Sequence, residues 1–589
     1  MGGRHRGQNW TEFRKSVKRS LGPFHLLTIS RRSFVLLQLT VYFVGISLLL
    51  AGAFGIFHVF GLTVIGLALI LVPPLTFTFG GQRVLSEIPV LISAMIPLII
   101  INSLYTMRTG HPVGFQDVHT HIVEAGALLT SQGYIDFASA QTVSLNFVGL
   151  YTITWFVRAV ANVDIVTIAG WLPPFIDVLA AVLVYLVARR MFDPRIAMIA
   201  LIFFAWDNNT ILFGHEFRTQ TIGTIFTLGA ILAYLGSKRP GGKKTAFSAA
   251  AMLFLFAIST SSFVSDIFAL VLFTVLVITP IFVPRMERIQ GVTQYGLFVS
   301  FFGLYILYIS TITYGSPSAV VSSIVILIRE AFSKSTAPSV DVGQQVYGPV
   351  VLAFTYGFWL MFVVFLLLMI RWRTITKANS STPVLWALLA TFAAGVAFSA
   401  FSILNPGRAY AVGSIVIALV VAVGLVAIVK RSPEKSRKKM VGACAFLVVM
   451  FVAVAVAKFP AYIVEDVAPI RSHELIDEVP YWHFGAQDIS SANFILVHCQ
   501  GKSLHLDMLI APYTLLAVYR NGLVPVRQSF DSNGRLLLSN IRAGDLILLR
   551  NSYGGNNYAF RNFLPPEASY RAFSQIYSDG DYILYLVDP

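Results

Sequence analysis

Thirteen apolar runs of about twenty residues, separated mostly by short polar loops, constrain this chain more than any other feature. Coiled as a helix, a run of that length matches the ~30 Å hydrocarbon core of a bilayer. The runs lie near 34–57, 59–79, 88–107, 165–187, 195–212, 219–236, 245–260, 264–282, 292–312, 346–370, 383–403, 409–429 and 440–457. Only 12% of the 589 residues are charged, about half the share usual in soluble proteins. That excludes a soluble enzyme, a disordered chain and a disulfide scaffold. The two cysteines, Cys444 in an apolar run and Cys499 in the polar tail, are not placed to form a bridge. The expected fold class is a polytopic α-helical membrane protein.

A formal charge of +15 would suit nucleic acid, but the positions of the charges argue against such a partner. Eight basic residues precede Phe34 against one acid, Glu12. With the N-terminus inside, 27 of the 43 basic residues fall in cytoplasmic segments, six in external loops (Arg108, Arg158, Arg218, Arg329, Lys334, Arg408) and ten in the tail. This is the positive-inside bias of a multi-pass protein of the cell membrane. The expected layout is a basic cytoplasmic segment over 1–33, a transmembrane domain over 34–457 and an extracytoplasmic soluble domain over 458–589. The first apolar run is too long for a cleavable signal sequence, so it is read as an uncleaved span.

The apolar stretch 143–160 is left out of the spans, because including it would turn every later basic loop outward. It reads as an interfacial helix lying in the outer leaflet. The first external loop, 108–164, is therefore long and hugs the membrane. A second long loop over 314–345 carries an amphipathic stretch, Val320–Phe332. In the tail, alternating runs at Asn493–His498, Tyr513–Tyr519 and Asp545–Leu549 read as strands, giving a β-rich or α+β domain.

Charged groups on the external side are sparse and clustered. The densest group is Asp117-Val118-His119-Thr120-His121-Ile122-Val123-Glu124. If 117–131 is a helix, Asp117, His121 and Glu124 share a face at i, i+4, i+7. A carboxylate with such neighbours suits a general base. The same spacing suits an N-capping Asp ahead of solvated residues, or a metal site built from His and Asp. A second cluster runs from Asp207 through His215, Glu216 and Arg218. There a guanidinium at a helix start can grip a lipid phosphate with two hydrogen bonds, or simply pair with Glu216 on the surface. The third is Asn405-Pro406-Gly407-Arg408, where Arg408 is either a phosphate clamp or a snorkelling anchor. Asp177, a dozen residues into its run, is too costly to face lipid and is expected in the bundle interior.

Three stretches together resemble the GT-C superfamily of membrane glycosyltransferases. One is the first-loop Asp117 followed by His121 and Gly133-Tyr134-Ile135-Asp136. Another is the run 161–206 with its Arg189-Arg190-Met191-Phe192 turn, and the third is the soluble tail beyond the last span. The resemblance covers residues 88–236 well and the rest in layout. It implies inverting sugar transfer from a polyprenyl- or dolichyl-phosphate-linked donor to a hydroxyl of a lipid-linked glycan or protein, outside the membrane. By the same resemblance, Asp117 stands where the family has its base or acceptor-orienting group, with His121 and Glu124 as supports. Arg218 and Arg408 would then hold the donor phosphate.

Pro480-Tyr481-Trp482-His483-Phe484-Gly485 lacks the Asp of the oligosaccharyltransferase motif, which argues against en bloc transfer to asparagine. His215-Glu216 stands where that branch has metal ligands. His119, His121, His215 and Glu216 are therefore the candidates for holding a divalent cation, and metal dependence is left open. The rival class, a lipid or glycan transporter, is expected to carry polar groups and broken helices at mid-membrane. Asp177 apart, these spans are almost uncharged.

Overall fold

A computed structural model describes residues 31–53, 60–80, 86–109, 121–122, 125–126, 149–207, 217, 219–237, 244–282, 292–314, 349–371, 382–400, 406–458, 486–506, 526–528, 541–550, 573–578 and 582–588. A helix lies over each of the thirteen apolar runs. In chain order the helices are α1 (Arg31–Ala53), α2 (Phe60–Ile70), α3 (Val72–Phe79), α4 (Glu87–Thr109), α5 (Gly149–Ala161), α6 (Ile165–Met191), α7 (Pro194–Ala205) and α8 (Thr219–Ser237). There follow α9 (Lys244–Ser259), α10 (Phe263–Phe282), α11 (Val292–Tyr314), α12 (Pro349–Arg371), α13 (Thr382–Ala400), α14 (Pro406–Arg431), α15 (Glu434–Lys458) and α16 (Ala486–His498). Among the described residues four stretches are long and apolar enough to cross a membrane as they stand: Ser33–Ala51, Ile165–Met191, Thr219–Ser237 and Gly413–Arg431. The chain is a helical membrane protein.

Two departures from the sequence reading have local causes. The run 59–79 is broken between α2 and α3, because Pro73 and Pro74 open a new helix in its first turn. The run 195–212 is helical only to Ala205, followed by a turn at Trp206; residues 208–216 lie outside the described ones. Elsewhere proline is tolerated: Pro97 sits inside α4, and Pro173 and Pro174 inside α6. The stretch set aside from the spans contains α5, of 13 residues. At 1.5 Å per residue that is about 20 Å, too short to cross. Its Leu150, Tyr151 and Thr154 are buried while Trp155, Phe156 and Val160 are exposed, the division expected of a helix lying against a bundle.

The core is organised around α7 and α14. Every residue from Ala197 to Asp207 is buried, and so is every residue from Gly413 to Val426. A helix apolar and buried all round belongs at the centre of a bundle. α14 packs on α7, α12 and α13, and α7 packs on α6, which also meets α4 and α8. Phe203 of α7, Phe358 of α12 and Phe451 of α15 form a three-ring cluster with centroids 4.5–5.4 Å apart. At the periphery Leu36, Leu39, Phe43, Leu360, Val363 and Leu367 point outward, as a lipid-facing surface requires.

Two polar clasps close the end of the bundle where α6 stops and α7 starts. Asp193 caps α7, accepting from the backbone N–H of Arg195 (2.9 Å) and Ile196 (3.0 Å), and also takes a bond from Lys430 Nζ (2.7 Å) at the end of α14. Glu87, in the first turn of α4, receives both Arg189 Nε and Arg189 Nη2 (the latter at 3.0 Å) and the Tyr185 hydroxyl.

Among the described residues of the tail, five short strands form a mixed sheet in the order β2-β1-β3-β5-β4: β1 Leu504–Leu506, β2 Val526–Gln528, β3 Leu546–Arg550, β4 Phe573–Ser578 and β5 Tyr582–Val587. β1 runs parallel to β2 and β3, whereas β5 is antiparallel to both β3 and β4. The strand expected over Asp545–Leu549 is β3. The strand expected over Asn493–His498 is instead the second half of α16. Its buried positions Ser491, Ala492 and Ile495 recur at helical spacing, and a short apolar run does not by itself distinguish strand from helix. Tyr513–Tyr519 and Val320–Phe332 lie outside the described residues. Both cysteines are free and buried.

Candidate functional site

The candidate site lies at the end of the bundle where α4 and α9 finish and α6, α8 and α10 begin. Here Asp164 caps α6, accepting from Thr167 N at 3.0 Å and from the Thr167 hydroxyl at 2.5 Å. Thr106 near the end of α4 donates to Gly170 O at 3.1 Å, which fixes α4 against α6. α5 lies across this end and packs on both α6 and α8. Its first backbone N–H, from Gly149, donates to Thr260 O in the turn between α9 and α10 at 2.9 Å.

Of the first loop, His121, Ile122, Ala125 and Gly126 are described, all helical and all buried. Positions 121, 122 and 125 lie on one helix face, and that face is turned into the bundle. The His121 imidazole thereby reaches α5, where its Nδ1 and the Tyr151 hydroxyl share a hydrogen bond of 2.7 Å. Tyr151 is 1% exposed. A tyrosine hydroxyl can donate to or accept from that nitrogen, so the bond fixes the ring's position and orientation with either tautomer. The arrangement can therefore support an adjacent acid or base.

The other expected site residues fare differently. Asp117, Glu124, His119, His215, Glu216 and Arg218 lie outside the described residues. Arg408 is the third residue of α14. For a metal, the described residues hold no group of three His, Cys, Asp or Glu side chains. Among the four proposed ligands only His121 is described, and its Nδ1 is engaged by Tyr151. Asp207, which opens the second cluster, is buried at the end of α7 beside the equally buried Trp206, and Phe217 at the far end of that loop is also buried. The loop is thus drawn into the bundle at both ends.

Deeper in, the expectation for Asp177 holds. It is buried, and Asn102 Nδ2 donates to its Oδ2 at 2.7 Å across the α4–α6 contact. Two contributors escaped the sequence reading. Tyr151 lay in the stretch considered only for its membrane placement. Asn102 is one uncharged amide among apolar residues. Asp266, which the sequence counts among the sparse external charges, is the fourth residue of α10 and like Asp177 an acid inside an apolar run.

No protein-family model matches this sequence, and no curated protein does. Among solved structures it is similar to the oligosaccharyltransferase AglB of Archaeoglobus fulgidus in complex with an inhibitory peptide and a dolichol-phosphate. That likeness has a TM-score of 0.50 at 11% identity, covering 78% of this chain and 69% of that one. The apo form of the A. fulgidus oligosaccharyltransferase gives 0.49 at 12% identity, with 77% and 66% covered. ArnT of Cupriavidus metallidurans bound to undecaprenyl phosphate gives 0.48 at 12% identity, with 85% and 97% covered. The chain spans about two thirds of the length of the archaeal proteins it matches. At such identities the likeness speaks to the fold alone, which this chain shares with the dolichol-phosphate-bound archaeal structure.

Proposed function

We propose that this chain, built on the GT-C fold, transfers a sugar from a polyprenyl-phosphate-linked donor to a hydroxyl of a lipid-linked glycan or protein at the external face of the cell membrane. Its layout is a cytoplasmic segment over 1–33, a transmembrane domain of thirteen spans over 34–457 and an extracytoplasmic domain over 458–589. Asp117 takes the acceptor hydroxyl's proton as the oxygen attacks the anomeric carbon. The bond from that carbon to the phosphate oxygen breaks, the configuration inverts, and polyprenyl phosphate leaves with its charge held by Arg218 and Arg408. His121 and Glu124 orient Asp117.

The observation that carries this reading is the insertion of the first loop's His121 into the bundle, where it meets Tyr151. A fold hosts many chemistries, so the reading needs a site as well as a fold. A loop whose imidazole is fixed by a buried hydroxyl is the start of one. The likeness to a protein solved with dolichol-phosphate supports the donor class.

The test incubates purified protein with a panel of polyprenyl-phosphate sugars and acceptor glycans and measures released polyprenyl phosphate. Release from at least one donor, dependent on acceptor, is the expected result. No release from any donor, with the protein folded, rejects the reading. Activity lost to a chelator and restored by a divalent ion would add His119, His121, His215 and Glu216 as its holders.

A further inference from the structure

The turn between α9 and α10 gathers five polar side chains into the interior. Ser259, Ser261 and Asp266 are fully buried, and Ser262 and Ser265 nearly so. Asp266 stands in the first turn of α10, its backbone N–H bonded to Ser262 O at 3.0 Å. Neither of its carboxylate oxygens meets strict hydrogen-bond geometry, although the Ser259 hydroxyl approaches closely enough to interact with it. The Ser259 hydroxyl lies beside it but donates to Leu255 O at 3.4 Å, while Ser261 donates to Ala257 O at 2.5 Å. No basic side chain among the described residues pairs with Asp266.

Two glycines close the site. A Cβ at Gly223 of α8 would stand 2.5 Å from Ser265 Cβ, and one at Gly149 of α5 would stand 3.1 Å from Ser261 Cα. Either substitution would force the turn away from its neighbours, so the absence of side chains there lets α5 and α8 press onto the serines.

A carboxylate so placed must be neutralised, either by a proton or by a cation. The surrounding atoms indicate which cation would fit. Hydroxyls and turn carbonyls are hard oxygen donors, with no sulfur or imidazole among them, which suits alkali and alkaline-earth ions. One carboxylate balances one positive charge, and a divalent ion would leave an unpaired charge in a buried place. The geometry points to a monovalent cation site, sodium or potassium, formed by Asp266 with the serines at 259, 262 and 265. The ion would hold in place the α9–α10 turn on which Gly223 of α8 packs, and to which Gly149 of α5, the helix that carries Tyr151, is hydrogen-bonded. The site stands independently of the glycosyl-transfer reading, and its test needs no substrate.

The protein in detergent is titrated with sodium or potassium chloride, with choline chloride at matched ionic strength as the control. The thermal midpoint is followed by tryptophan fluorescence. The midpoint should rise by about 2 °C or more with one alkali ion and stay flat with choline. Asp266→Asn, which keeps the shape and removes the charge, should fold and lose the response. If Asp266→Asn does not fold, the double variant Ser262→Ala/Ser265→Ala keeps the charge and should weaken the half-saturating ion concentration by about tenfold. A parental midpoint equal in choline and alkali chloride overturns the site in favour of a protonated Asp266. So does a response that survives Asp266→Asn, or an unchanged half-saturation in the double variant.

Discussion

Replacing Asp117 by Asn keeps size and hydrogen-bonding shape while removing basicity. Asp117→Asn should therefore cut transfer by about 10²–10⁴-fold with folding and donor binding retained. Full activity would return Asp117 to the role of a helix cap. Tyr151→Phe removes one hydroxyl from a buried pair. A single such bond contributes about 1 kcal/mol, so turnover should fall about five- to tenfold with little change in donor KM. Equal losses in an unrelated buried tyrosine variant would show that only packing had been disturbed. For Arg408 the losses should be graded, moderate in Arg408→Lys, where charge survives without the planar two-pronged grip, and severe in Arg408→Ala. An anchoring role predicts parental rates in both. At this scale the sequence was legible where charge stood out against apolar surroundings: Asp177 and the first-loop His121 were found that way, and both are buried. Tyr151 was not, because its role depends on a partner 30 residues away in sequence, and a tyrosine in an amphipathic stretch carries no mark of which face it occupies.

The helix ends near Asp193 give a test at the scale of elements. Burial works to raise its carboxyl pKa, but the Lys430 ammonium, with the N–H groups of Ile196 and Arg195, holds it below the ordinary aspartate value of 3.8. A folded value below the unfolded one means that the clasp's contribution is complete above pH 3.8 and fades as pH falls through the lowered value. Lys430→Met removes the attracting charge and raises the folded value, so the loss of stability on acidification should be smaller than in the parent, its onset still set by the unfolded value. Asp193→Ala also removes the cap of α7, at a cost of about 1 kcal/mol. Thermal midpoints in detergent across an acid series separate the two. Apolar length made the helices legible, since a bilayer leaves a spanning segment no partners but its own backbone. In the tail no such constraint acts, and the apolar cluster Phe494-Ile495-Leu496-Val497 matched a strand as well as it matches α16.

For the molecule as a whole, the placement of basic loops predicts which segments face the cytoplasm. Single cysteines introduced into loops should react with an impermeant reagent in intact cells within 105–164 and 458–589, and not at the N-terminus or in 430–439. Labelling of that last loop would overturn the layout together with the site assignments. The native background should be silent: Cys444 and Cys499 are buried, and burial pushes the Cys499 thiol above its ordinary value, with Lys502 pulling the other way. The order of synthesis adds a constraint on how the bundle is completed. α14, buried along most of its length against α7, α12 and α13, is also the second-last of the bundle helices to leave the ribosome. Until it arrives, the partners already made enclose a slot for a helix that does not yet exist, with the apolar faces of α7 and its neighbours held open. A nascent chain halted before Pro406 should therefore be recognised by membrane quality control and degraded, whereas one halted after Arg431 already has its centre filled.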